Sequence, residues 1–236
     1  MAEARGDTAT AREQFLEASH LLRKVGEMRW LILSLAHLGG TYLPDFGRAE
    51  RVYLEALELA ETSGDIRGAA IVKGNLGSAL IAKGEDRRAA QLIEEALAGH
   101  RALSDDYGMA GCLASLATLA LRRGDLDVGA AQIRESIQLS SSIGDTLTLS
   151  TTLAIAAAFV LERGDAPTAA RLCAADAALL DEHGFEPDPE LGETTAAARD
   201  SLGDRFDDTW ESGTRLDLDA AVELALTALG SRASER

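Results

Sequence analysis

Aromatic residues make up only 4% of this 236-residue chain, proline occurs four times and cysteine twice. With so few aromatic side chains and abundant alanine, the composition favours close-packed helices and leaves little from which to build sheets. Cys112 and Cys173 lie far apart, which suggests neither a disulfide framework nor a metal cluster; both read as small core residues. Positive charge is also scarce. Lys and Arg number 23 against 39 Asp and Glu, a formal net charge of −16. Such a surface repels phosphate backbones and anionic headgroups, so direct nucleic-acid contact by this segment is not expected. No apolar run approaches the roughly 18 residues of a membrane span, and the opening Met-Ala-Glu-Ala-Arg-Gly-Asp lacks the apolar stretch of a secretory signal. The expected location is cytoplasmic, with no membrane partner.

Catalytic motifs are missing as well. There is no G-x-x-x-x-G-K-[ST] phosphate loop, no G-x-G-x-x-G after a strand, no H-E-x-x-H and no G-x-S-x-G. His20, His37, His100 and His183 stand without a second His or a Cys at ligand spacing. Carboxylate pairs such as Glu94-Glu95 and Asp207-Asp208 sit in helical pattern where a solvated face is the plain reading. Ser140-Ser141-Ser142 reads as a frayed helix end before Gly144. The expectation is a noncatalytic chain with no metal and no cofactor.

What the chain does have is a period. Gly84-Glu85, Gly124-Asp125 and Gly164-Asp165 recur every 40 residues, and Gly64-Asp65, Ser104-Asp105 and Gly144-Asp145 form a second series offset by 20. Two alternating turns per period imply helix pairs, each turn reading as a left-handed helix stop followed by an acidic N-cap. The faces repeat too. Leu76, Gly77 and Leu80 become Leu116, Ala117 and Ala120, then Ala156, Ala157 and Val160; Ala89, Ile93 and Ala96 become Gly129, Ile133 and Ser136, then Ala169, Cys173 and Asp176. An earlier copy has Leu38, Gly39 and Tyr42 with Ala49, Tyr53 and Ala56, shifted by 38. Gly or Ala at 39, 77, 117 and 157 lets a partner helix approach, while the larger residues at 53, 93 and 133 fill the space. One helix pair cannot cover its own apolar face, so the pairs must stack.

Leu38-Gly39-Gly40-Thr41-Tyr42 with Ala49, Tyr53 and Ala56 resembles the tetratricopeptide repeat pattern, and Leu76-Gly77 with Leu80, Ala89, Ile93 and Ala96 resembles it too. The period exceeds the family's usual length of about 34 residues, and the family's early Trp is replaced by Leu35, Lys73, Leu113 and Leu153. The resemblance implies an all-α fold, a right-handed α-solenoid of antiparallel helix hairpins with about 40 residues per repeat and a C-terminal helical cap. Residues 1–183 carry the repeats, the first of them incomplete because Ala11, Phe15 and Ala18 align with a second helix; residues 184–229 form the cap and 230–236 a flexible tail. This opening suggests a piece of a longer protein, or an end covered by a packing partner. Phe185-Glu186-Pro187-Asp188-Pro189 reads as a stiff link. Trp30 and Trp210, one near each end, read as packing under a cap.

A second, looser similarity lies in the tail. Ala170-Arg171-Leu172-Cys173-Ala174-Ala175, Leu202-Gly203, Phe206, Trp210 and Leu218-Asp219-Ala220-Ala221-Val222-Glu223-Leu224-Ala225 resemble the closing repeat segment of large bacterial LuxR-type, ATPase-containing transcriptional regulators. That similarity implies an effector- or partner-sensing role.

In the resembled family the first helix of each pair lines a concave groove. By spacing, that face carries Leu33, His37 and Gly40; Ile71, Asn75, Ser78 and Ala82; Gly111, Ser115, Thr118 and Arg122; Thr151, Ile155, Ala158 and Glu162. The candidate partner-binding residues are His37, Asn75, Ser78, Ser115, Thr118, Arg122 and Thr151. They suit a protein or peptide partner, or a small effector, through backbone-directed hydrogen bonds; the plainer alternative is that they face solvent. The Lys/Arg clamp with which some family members hold a terminal carboxylate is not reproduced, since the aligned positions offer Arg122 and little else. The expected function is a noncatalytic interaction and regulatory module of a bacterial transcriptional regulator; the alternative is a free-standing adaptor or scaffold.

Overall fold

The structure is a computed structural model and describes residues 8–184 and 189–230. Nine helices follow one another with short turns: α1 (Thr8–Val25), α2 (Met28–Thr41), α3 (Phe46–Ser63), α4 (Ile66–Lys83), α5 (Asp86–Ala102), α6 (Asp106–Arg123), α7 (Leu126–Ile143), α8 (Thr146–Glu162) and α9 (Ala166–His183). The starts of α4, α6 and α8 at 66, 106 and 146 reproduce the 40-residue period. After them come α10 (Pro189–Leu202), a single 3-10 turn at Gly203–Arg205, α11 (Phe206–Thr214) and α12 (Leu218–Gly230). No strand occurs among the described residues.

The turns work as their residue types require. Asp45, Asp65, Asp145 and Asp165 accept hydrogen bonds from the backbone N–H of Arg48, Gly68, Thr148 and Thr168, each three residues into its helix, an N-cap worth about 1 kcal/mol apiece. Gly64, Gly84, Gly144 and Gly184 close the preceding helices at φ between +69° and +83°, where a Cβ is strained. Two acidic residues depart from the expected cap. Neither Glu85 nor Asp125 makes a side-chain cap bond, and Glu85 instead holds Lys83 at 2.6 Å. Nor is the serine run a frayed end: α7 continues through it to Ile143, with Ser140 fully buried.

The chain divides into two compact units, residues 1–115 and 116–236. In each, consecutive helices pack as antiparallel hairpins, the arrangement of an all-α solenoid. In the first unit, a Cβ added to Gly39 would lie 2.6 Å from a ring carbon of Tyr53, and one on Gly77 would lie 2.4 Å from Ile93 Cγ1. These glycines are therefore sites of close helix approach. His100 is buried at the end of α5, its Nδ1 3.2 Å from Asp105 Oδ2. Arg67 pairs with the same carboxylate, and Gly108 packs flat against the imidazole. His100 is a satisfied core histidine joining α4, α5 and the start of α6.

In the second unit Phe159, fully buried, presses on Gly129. Helix α10 packs on α8 and α9, α11 lies against α9, and α12 returns to touch α7, α8 and α9. A cluster of Ala166, Ala170, Ala198, Leu202 and Phe206 gathers Leu161 and Trp210 around it. Trp210 stacks on Phe206 at 5.5 Å, so this Trp does pack beneath the closing helices. Arg163, at the end of α8, donates to the Leu229 carbonyl at 3.0 Å and pairs with Asp127 at 3.1 Å, which ties the end of α12 to α7 and α8. Gly230 still belongs to α12. The expected link at 185–188 and the tail from 231 lie outside the described residues.

Candidate binding face

A helix packed into a two-layer stack keeps part of its surface uncovered. On α2 Met28, Arg29, Trp30, Leu33, His37 and Gly40 are exposed or half-buried. On α4 one side presents Ile71, Asn75, Ser78 and Ala82, while Ile66, Arg67, Ala69, Lys73, Gly74 and Lys83 are also exposed or half-buried. On the first part of α6 Tyr107, Gly111 and Ser115 are exposed or half-buried, as are Asp106, Gly108 and Met109. The flanking residues Leu35, Leu38, Leu76, Leu80 and Leu113 are buried. Within the first unit, then, His37, Asn75, Ser78 and Ser115 lie on the stripes that their spacing predicts.

This side combines hydroxyl, amide and imidazole groups with apolar residues. Ser78 and Ser115 place their hydroxyls 3.3 Å apart, and either can donate. His37 is exposed and stacks on Phe15 of α1 with ring centroids 5.3 Å apart and planes 13° from parallel. None of Leu33, His37, Gly40, Ile71, Asn75, Ser78, Ala82, Gly111 and Ser115 is acidic, although the whole chain carries −16. Small residues at 40, 78, 82, 111 and 115 leave the backbone of α4 and α6 approachable.

In the second unit Thr118 is half-buried, while Arg122 and Thr151 are exposed. Thr151 returns its hydroxyl to the Leu147 carbonyl of its own helix at 3.2 Å. The uncovered stripe of α8 runs Leu147, Thr151, Ala154, Ala158 and Glu162. This corrects one step of the expected face: Ile155 is buried and Ala154 takes its place. With Thr151 fixed on the stripe, the next turn is reached by a step of three rather than four, because 3.6 residues per turn carries the stripe across both.

Trp30 is a second correction. It is 59% exposed rather than packed under a cap. It stands in line with Leu33 and His37, at i+3 and i+7, on the least buried side of α2. Tyr107 and Leu147, 63% and 53% exposed, are the stripe residues that spacing missed; extending the stripe one turn back from Gly111 and Thr151 would have found both.

Among the described residues no group of three or more His, Cys, Asp or Glu converges. Cys112 and Cys173 are buried, and burial pushes their thiols up to about 12 and about 11, so neither is a nucleophile near neutral pH. No described helix is long and apolar enough to cross a membrane.

Fold and surface together define a helical-hairpin repeat protein whose first unit presents an uncovered side without carboxylates among Leu33, His37, Gly40, Ile71, Asn75, Ser78, Ala82, Gly111 and Ser115. No protein-family model and no curated protein sequence matches the chain. Among solved structures it is similar to the crystal structure of BtubC (BKLC) from P. vanneervenii, with a TM-score of 0.65 over 99% of this chain and 95% of that one, at 18% sequence identity. At that identity the likeness concerns the fold.

Proposed function

We propose that the chain is a noncatalytic, tetratricopeptide-like interaction module whose uncovered stripes hold a protein or peptide partner, or a small effector. The observation that carries this reading is the stripe on α2, α4 and the start of α6: exposed or half-buried, free of carboxylates in a strongly acidic chain, and supplied with Asn75, Ser78 and Ser115. Amide and hydroxyl groups flanked by small residues suit an extended peptide, whose backbone needs donors and acceptors at close range. Binding would act by favouring one arrangement of the stacked hairpins over another and so biasing whatever is attached to them.

The looser tail similarity, through Leu202-Gly203, Phe206 and Trp210, favours a place as the sensing repeat region of a bacterial LuxR-type transcriptional regulator. Phe206 and Trp210 form the stacked centre of the closing helices. Cytoplasmic location follows from the same reading. An in-frame nucleotide-binding ATPase or helix-turn-helix segment in the flanking gene would support it; a complete gene without either would favour an adaptor.

The binding face is tested by selecting peptides from a random displayed library on the intact chain and measuring their affinity for Asn75→Arg/Ser78→Glu. Both positions are at least partly exposed, so helicity and thermal midpoint should hold while binding drops by about tenfold or more, equivalent to ~1.4 kcal/mol. Equal affinity for the variant would refute the face.

A further inference from the structure

The copies of the repeat's first helix align Leu31, Ala69, Met109 and Leu149 at one position and Leu35, Lys73, Leu113 and Leu153 one turn later. Leu35, Leu113 and Leu153 are buried to within 2% exposure. Helix α4 alone pairs an Ala with a Lys at these core positions. At this place the first unit has an open pocket of about 300 Å³, lined by Ala60 and Glu61 of α3, Ala69 and Lys73 of α4, and Glu95 and Gly99 of α5. It lies apart from the stripe of the proposed binding face, because Lys73 is two residues from both Ile71 and Asn75 and so points to the other side of α4.

The cavity's charges define what it can hold. Lys73 Nζ sits 2.8 Å from Glu95 Oε2 and 3.6 Å from Glu61 Oε1. Its hydrogen bond to Glu95, above all, keeps the ammonium protonated beyond its ordinary range, against the opposing effect of burial. Asp65, which caps α4, adds a third carboxylate to the lining. Three carboxylates against one ammonium disfavour an anion. The floor of Ala60, Ala69 and Gly99 suits a short aliphatic stem, and the volume is at the lower limit of small-molecule pockets, ~300 Å³, so one long side chain fits and a folded surface does not.

We propose that this cavity receives the guanidinium group of an arginine side chain presented by a basic partner segment. A guanidinium carries five donors in a rigid fork, enough to reach Glu61 and Glu95 while Lys73 keeps its own bond. Both glutamates remain about half exposed, at 56% and 44%, and are thus accessible from outside. The net charge of −16 draws basic segments to the chain in the first place.

The test is an NMR or calorimetric titration of the intact chain with acetyl-Gly-Arg-Gly-amide, with matched Glu and Leu peptides, and with agmatine. The arginine peptide should bind and shift the amides of residues 61, 69–73 and 95–99, while the Glu and Leu peptides do not. Lys73→Ala removes the competing ammonium and enlarges the space, so arginine affinity should rise by at least about threefold. Ala69→Leu/Lys73→Leu gives α4 the leucine pair that α2 and α8 carry, fills the pocket, and should weaken binding by about tenfold or more (~1.4 kcal/mol) with helicity unchanged. The proposal is overturned if the wild-type chain does not bind the arginine peptide, if the Glu peptide binds instead, if Lys73→Ala loses binding, or if the double-leucine variant binds as wild type does. Agmatine binding without peptide binding would also overturn it, by assigning the pocket to a free small cation rather than a partner's side chain.

Discussion

Two glycines of α6, three residues apart, should respond to the same substitution in opposite directions. A Cβ on Gly108 would lie 2.1 Å from His100 Nδ1, whereas a Cβ on Gly111 meets nothing within 4 Å. The imidazole cannot step aside cheaply, because it is buried and faces Asp105, the residue that also caps α6 through Gly108 N–H. For Gly108→Ala, overpacking costs ~1–3 kcal/mol and a displaced charge-assisted hydrogen bond costs ~1.5–3 kcal/mol. Against these, the Gly-to-Ala helix preference returns up to ~1 kcal/mol. The net is a loss of ~1.5–5 kcal/mol, which at ~2–4 °C per kcal/mol for a chain of this size lowers the thermal midpoint by roughly 3–20 °C. Gly111→Ala has only the helix preference to register and should raise the midpoint by ~2–4 °C. Thermal melts followed by circular dichroism on the two variants and the parent decide the matter. If both substitutions stabilise, or both leave the midpoint unchanged, the packing described around His100 is wrong.

Three further outcomes follow from the same structure. Gly213→Ala would press a Cβ to 2.5 Å from the Arg171 carbonyl oxygen, a backbone atom that cannot yield, so α11 should lift from α9 and Trp210 fluorescence should shift toward that of exposed indole. Cys112 and Cys173, with thiols raised to about 12 and about 11, should resist a thiol reagent at pH 8 in the native chain and react once urea unfolds it; rapid native labelling would contradict their burial. Glu95 is held below its ordinary value of 4.5 chiefly by its hydrogen bond with Lys73, so its contribution is present above the unfolded-state value and is lost as pH falls through the folded-state one. The stability gap between the parent and Glu95→Gln, measured by urea titration, should accordingly be flat near neutrality and close in acid; a gap that widens toward low pH would refute the pairing.

Much of the architecture was legible because turn chemistry is local. Gly64-Asp65, Gly144-Asp145 and Gly164-Asp165 announce their helix boundaries by residue type alone, and the 40-residue spacing carries that reading along the chain. Glu85 was misread as a cap because its longer side chain reaches Lys83 instead. Trp30 was misassigned because aromatic size says nothing about which side of a helix faces a neighbour; its register with Leu33 and His37 does. The His100–Asp105–Arg67 cluster joins three helices and cannot be seen from one. Lys73 was the clearest neglected signal. A charged residue where the other copies hold a buried Leu marks a place where the core has been opened, and only the packing shows that Ala69 enlarges the same gap.

Hydrogen exchange of the intact chain, with and without a peptide selected on it, tests most directly whether the uncovered stripes are the binding face. The account predicts slowed exchange or altered side-chain labelling confined to the segments around 71–82 and 107–115, on the side of α4 and α6 that carries Asn75, Ser78 and Ser115. Protection confined to α3, α5 or α7, with those segments unchanged, would contradict it.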